Sequence, residues 1–219
     1  MTAMRWLYTF FALVLLVLAG GVSDGGGDWP MWRHDARRSA AATEGLPSEL
    51  HLQWKRQLHA PEPAFSANLR MNVDASYQPV AADDTLFVPS MVTDSVTALD
   101  TRTGGEKWTF YTGGPVRFAP VVWQGKVYFT SDDGYLYCVD ADTGELKWRF
   151  WGPPGGRKPH KVLGNGRVIS RWPARGGPVL KGGVIYFGSG AWPFEGVYVC
   201  AVNASTGQLL WRNKRCASV

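Results

Sequence analysis

Histidine and cysteine are scarce in this chain, four and three among 219 residues. The histidines, at positions 34, 51, 59 and 160, never fall at the spacing that sets two ligands on one helix face, which argues against a zinc site. Cys138, Cys200 and Cys216 are neither adjacent nor at Cys-x-x-Cys spacing. There is no nucleophile elbow and no phosphate-cradling glycine loop ahead of a helix. Asp132-Asp133-Gly134 and Asp140-x-Asp142 lack the ligand spacing of a calcium loop. Basic residues outnumber acidic ones by 23 to 18 but form no long run, so nucleic-acid binding is not expected. The longest apolar run, Leu7 to Leu18, is too short for the ~20 residues of a membrane-spanning helix.

What is abundant is tryptophan, and it is periodic. An eleven-residue phrase with the skeleton small-x-Asp/Asn-x-x-Thr-Gly-x-x-x-Trp occurs three times, as Ala98 to Trp108, Cys138 to Trp148 and Ala201 to Trp211. The residues before the Asp read as a strand. The Asp or Asn starts a turn by accepting downstream N–H groups, and the Gly supplies a positive φ. The tryptophans Trp108, Trp148 and Trp211 then sit on the returning strand, where a large ring can cover the edge of a neighbouring unit. Gly104, Gly144 and Gly207 are the turn glycines.

More repeats lie upstream of each phrase. Pro79-Val80, Pro120-Val121-Val122 and Pro178-Val179-Leu180 open the units. Thr85 to Val88, Lys126 to Phe129 and Val184 to Phe187 follow, rich in β-branched and aromatic residues. Each unit is thus four short strands in about 40 residues, the period of a β-propeller blade. The phrase resembles the tryptophan-docking motif of the quinoprotein alcohol dehydrogenase-like propellers, the pyrroloquinoline quinone (PQQ) repeat superfamily, over roughly residues 50–213. That resemblance implies an all-β fold: a partial propeller of three four-stranded antiparallel blades, at about 77–111, 118–151 and 177–213. PQQ with calcium enters only as an implication of the resemblance, because the superfamily mixes PQQ enzymes with cofactor-free scaffolds. The best-known PQQ alcohol dehydrogenases carry adjacent cysteines against the cofactor, and this stretch has none.

Residues 1–23 read as an export signal: Arg5, the Leu7–Leu18 apolar run, then small residues at Ala19-Gly20-Gly21 and Gly21-Val22-Ser23. A periplasmic or secreted chain with no membrane span after cleavage is expected. Residues 24–49 read as an irregular arm pinned by Trp29 and Trp32. Leu52–Leu58, with Trp54, reads as a strand that would close the last blade of a full propeller, and 152–176 as a loop insertion. Too few residues remain for the seven or eight blades usual in the superfamily, so an N-terminal piece of a longer protein is expected.

Strand parity puts every elaborated connection on one face, where function tends to collect on a rigid scaffold. Arg117 and Arg175 each stand three residues before the proline that opens an innermost strand. Two guanidiniums converging there suit a carboxylate or phosphate; alternatively each pairs with an acidic neighbour such as Asp132, Asp133 or Glu195. Trp172, Trp192 and Phe194 lie on the same side, as an aromatic wall or as packing for the insertion. Three functions follow: an exported binding or scaffold module for a small anionic ligand or a protein partner, part of a PQQ-dependent alcohol or sugar dehydrogenase, or a truncated chain without independent activity. No catalytic set is assigned by motif.

Overall fold

The computed structural model describes residues 27–42, 44–46, 48–66, 71, 73–164 and 166–213; the predicted export signal and Cys216 lie outside them. Three four-stranded antiparallel sheets follow one another, each in the simple order of the chain. The first is β1 (Val80–Ala82), β2 (Thr85–Ser90), β3 (Ser95–Asp100) and β4 (Glu106–Tyr111). The second is β5 (Val121–Trp123), β6 (Lys126–Thr130), β7 (Tyr135–Asp140) and β8 (Leu146–Trp151). Between it and the third, β9 (Lys161–Gly164) and β10 (Arg167–Ser170) form a two-stranded hairpin. The third is β11 (Val179–Lys181), β12 (Val184–Ser189), β13 (Tyr198–Asn203) and β14 (Leu209–Arg212).

The alternation of the strands explains how the sheets stack. In the middle sheet Val121, Tyr128, Leu136 and Cys138 face the third sheet and join Leu180, Ile185, Phe187, Cys200 and Val202 in one core. Their neighbours Val122, Val127, Phe129, Tyr137 and Val139 face the first sheet and join Val80, Phe87, Val96 and Ala98 in another. A period of two with both faces apolar is what a sheet buried between two others requires. Cys138 and Cys200 are free thiols within the shared core.

Each phrase folds into the same turn. Asp100 Oδ1 accepts from the N–H groups of Arg102 and Thr103 at 3.0 and 2.8 Å. Asp140 does so with Asp142 and Thr143 at 3.2 and 3.1 Å, and Asn203 with Ser205 and Thr206 at 2.9 and 3.0 Å. Gly104, Gly144 and Gly207 have φ of 69°, 72° and 72°. Each sheet also carries its register shift at the same place, after Ala98, Cys138 and Ala201.

The glycines are required a second time by what lands on them. A Cβ on Gly144 would stand 2.7 Å from Trp108, and one on Gly207 2.7 Å from Trp148. Trp108 and Trp148 therefore lie flat on the next sheet's turn. Trp54 does the same one step earlier: a Cβ on Gly104 would meet it at 2.6 Å, and its Nε1 donates to Thr101 O at 2.8 Å. The segment 52–58 itself makes no strand ladder among the described residues, so the expected strand is present only as its docking indole. A lone strand without partners has no ladder to form. Trp211, in the equivalent register opposite Ala201, is about half exposed.

Two local expectations change. The arm is held by backbone pairing of Trp29 with Ala81, by Val122 N–H donating to Pro30 O, and by buried Met31, whereas Trp32 is nearly half exposed under Arg38. The insertion is not wholly a loop: β9 and β10 pair through Leu163↔Val168 and Val162↔Ile169, with Ile169 buried against the propeller.

Candidate functional site

Arg117 enters ahead of β5, Arg175 ahead of β11, and the turn between β6 and β7 brings Asp132 between them. Arg117 Nε donates to Asp132 Oδ2 at 2.7 Å, and its Nη1 donates to Asp74 Oδ2 at 2.7 Å and to Glu62 O at 2.9 Å. Arg175 grips the same carboxylate through two nitrogens, Nε to Oδ1 at 3.0 Å and Nη2 to Oδ2 at 2.9 Å. Arg117, Asp74 and Asp132 are all buried and Arg175 nearly so. Asp132 is itself clamped by its backbone: its N–H donates to Pro115 O, and its carbonyl accepts from Ser170 N–H of the insertion. The two arginines meet at one carboxylate, so the pairing with an acidic neighbour, Asp132, is the alternative that the geometry realises.

A cavity of about 230 Å³ opens beside this network, lined by Ala64, Phe65, Met71, Val73 and Phe118 together with Asp74, Arg117 and Arg175. Arg175 lies over the Phe65 ring, 5.6 Å from its centroid. Two polar atoms of the network, Arg175 Nη1 and Asp74 Oδ1, are buried without a hydrogen-bond partner among the described residues. Buried polar groups are normally paired, so the network has one donor and one acceptor in reserve. Its formal charges cancel, two guanidiniums against two carboxylates.

Trp172 and Trp192 are not part of that wall. Trp172 is buried in the core between the second and third sheets, edge-on to Trp151, with its Nε1 donating to Glu195 O. Trp192 packs beside Gly164 of the hairpin. Both hold the insertion down, because the hairpin folds back over the sheets. Glu195 pairs with Arg171, and Asp133 accepts from Tyr137 Oη and from Gly113 N–H. Burial first, and then the Asp133 charge, raise the Tyr137 phenol.

Sequence reading missed Asp74, Phe65 and Phe118, since a single carboxylate or phenyl ring in an unrepeated stretch carries no pattern. It also missed Arg167 of β10, which reaches back to Asp94 at 2.7 Å, to Glu62 at 3.1 Å and to the carbonyls of Met91 and Val92. Burial pushes the Asp94 carboxyl up, against the opposing pull of Arg167.

Four-stranded antiparallel sheets in series, with an indole of one sheet lying on the Thr-Gly turn of the next, define the class of fold as a β-propeller. A family model described as outer membrane protein assembly factor BamB, built on the PQQ repeat, matches residues 31–218. The chain belongs to this PQQ-like, quinoprotein alcohol dehydrogenase-like propeller family. It is 32% identical over 160 residues to a quinohemoprotein alcohol dehydrogenase of Comamonas testosteroni, covering 68% of this chain and 21% of that protein. It is 32% identical over 127 residues to the dehydrogenase subunit of the quinone-type alcohol dehydrogenase of Gluconobacter oxydans, covering 52% and 16%. The solved C. testosteroni enzyme superposes with a TM-score of 0.60 at 25% identity, over 85% of this chain and 27% of that one. A europium-containing methanol dehydrogenase shares the fold at a TM-score of 0.60 and 18% identity, over 86% and 32%. The chain spans about a fifth of the length of the curated relatives it matches.

Proposed function

We propose that this chain is the ligand-holding part of an exported PQQ-like propeller, with the cavity beside Arg117 and Arg175 as its binding site. The observation that supports this is a guanidinium pair fixed by Asp132 next to an apolar hollow walled by Phe65 and Phe118. Because the charges of the network cancel, bulk attraction for an anion is weak. Shape and hydrogen bonding do the selecting: a flat body against the phenyl rings and an acceptor oxygen at Arg175 Nη1. Export rests on the sequence of residues 1–23 and is in keeping with a family model described as an outer membrane protein assembly factor.

A second reading, that the chain is a share of a PQQ-dependent alcohol dehydrogenase, is favoured by relatives named as quinohemoprotein and quinone-type alcohol dehydrogenases. The quinone is planar and carries carboxylates, so Phe65, Phe118 and Arg175 fit one edge of it. When bound it supplies a two-electron acceptor for an alcohol. Calcium is not matched in the same way: among the described residues no group of three or more His, Cys, Asp or Glu is placed to hold a metal.

Titrating the purified chain with PQQ, with and without calcium, and following tryptophan quenching tests both readings. Saturable binding weakened at least tenfold by Arg175→Ala is expected. Equal affinity in the variant removes the cavity as the site. Absence of quinone binding discards the dehydrogenase reading and leaves the module to bind a different flat ligand.

A further inference from the structure

The insertion, residues 152–176, contains six arginines and lysines and no aspartate or glutamate. Three of the six are neutralised: Arg167 by Glu62 and Asp94, Arg171 by Glu195 and Arg175 by Asp132. The other three are not. Arg157 donates only to the carbonyl of Glu195 and lies over the rings of Trp172 and Tyr198. Lys161 donates only to Gly113 O, and Lys158 is exposed. Among the described residues no carboxylate stands within ion-pair distance of these three.

The same segment exposes apolar side chains as a group. Leu163 and Val168 are directly opposed across the β9–β10 ladder, so they share the outward face, and they are 79% and 57% exposed. Opposed residues of a hairpin are close neighbours. Trp192, from the neighbouring turn, packs on the opposite, Ile169 side of Gly164 and so leaves the Leu163–Val168 face uncovered. Arg157 ties the two segments together at Glu195. The hairpin cannot swing away freely, because Arg167 and the backbone bond from Ser170 to Asp132 anchor its inner face.

We propose that this outward face, with Leu163 and Val168 beside Lys161 and with Arg157 and Lys158 just ahead of it in the chain, is a docking surface for an acidic protein. An apolar centre with a charged rim is the anatomy of a protein interface. An anionic lipid surface is a poorer fit, since stable lipid attraction takes clusters of four to eight basic residues and only three are available. A second copy is poorer still, since it would bring the same uncompensated cations and a net charge of +5. This surface is separate from the cavity and does not depend on what the cavity holds.

The test uses a fluorescein-labelled peptide of alternating glutamate and leucine, its anisotropy followed against the full chain. Binding should weaken steeply as salt rises, because exposed charges are screened. Lys158→Glu with Lys161→Glu should weaken it at least tenfold, and Leu163→Ser with Val168→Thr at least fivefold. All four positions are exposed, and circular dichroism should show the sheets unchanged. Equal affinity across the variants overturns the proposal. So does binding to phosphatidylglycerol vesicles that outcompetes the peptide, which would make the face a lipid contact.

Discussion

The two interfaces between sheets are built from the same parts and differ most plainly in one bond. At the first, Trp108 lies on Gly144 and its indole Nε1 donates to Ala141 O at 2.9 Å. Trp54 repeats this on Thr101 O. At the second, Trp148 lies on Gly207 in the same way, and the equivalent acceptor is Ala204 O. That carbonyl is already taken by the Tyr128 hydroxyl at 3.1 Å, and Trp148 Nε1 is left without a partner. The position of Tyr128 in the first sheet is Phe87, whose ring packs on Trp108 at 5.8 Å, just as Tyr128 packs on Trp148 at 5.8 Å. One hydroxyl, seven strands away in the chain from the carbonyl it reaches, thus holds the acceptor that the indole has at the first interface. The motif guarantees the stacking of ring on glycine, while the hydrogen bond is negotiated by whatever packs beside it.

Removing each indole sharpens this contrast most. Trp108 is buried and fully bonded, so Trp108→Ala should cost about 3–5 kcal/mol, the range for deleting a buried aromatic ring. Trp148 is only half-buried and its N–H is unpaired, so Trp148→Ala should cost about 1.5–3 kcal/mol, the worth of apolar burial alone. Urea unfolding of the two variants checks it. Equal losses would mean that the carbonyl bond contributes nothing to the first interface.

The legibility of the chain divides along the same line. The blades, the turn chemistry and the docking indoles could be read, because repetition aligns each residue with two others doing the same job. Trp54 could be read as the stray member of the set even though its strand has no partners. Arg117 and Arg175 were found for that reason too, by their shared offset from a proline. Asp74, Phe65 and the back-reach of Arg167 were not legible. They sit in unrepeated connections, where the fold brings together residues that no periodicity links. The hairpin inside 152–176 was missed because Val162, Leu163, Val168 and Ile169 are a short apolar signal surrounded by glycine and proline.

Acid separates the interfaces by a second route. The turns that receive Trp54 and Trp108 are capped by Asp100 and Asp140, whereas the turn that receives Trp148 is capped by Asn203. Backbone N–H donation from Thr103 and Thr143, before any other cause, holds the two carboxyls below the usual aspartate value of 3.8. A lowered folded pKa means that the stabilisation is complete above 3.8 and is lost as pH falls through the folded value. The Asn203 turn has nothing to protonate. Between about pH 4 and pH 2 the melting temperature should therefore fall less steeply in Asp100→Asn with Asp140→Asn than in the parent, as scanning calorimetry would register. Parallel pH profiles would show that the caps do not feel their charge.

The smallest expected change is the most direct probe of the comparison. Tyr128→Phe places in the second interface the residue type that the first already has. The lost Tyr128–Ala204 bond is worth about 0.5–1.5 kcal/mol. The freed carbonyl is the counterpart of Ala141 O, to which the Trp108 indole donates, so the Trp148 indole should turn to it. One bond replaces another, and a buried unpaired donor gains a partner, so the net change in stability should stay within about 1 kcal/mol. What should change is the Trp148 indole N–H: its exchange with solvent, read by proton NMR, should slow toward that of Trp108. If exchange at Trp148 is unaltered and stability falls by the full worth of a hydrogen bond, the two sockets are not interchangeable. The difference between the interfaces would then lie in how the sheets are spaced rather than in which group holds the carbonyl.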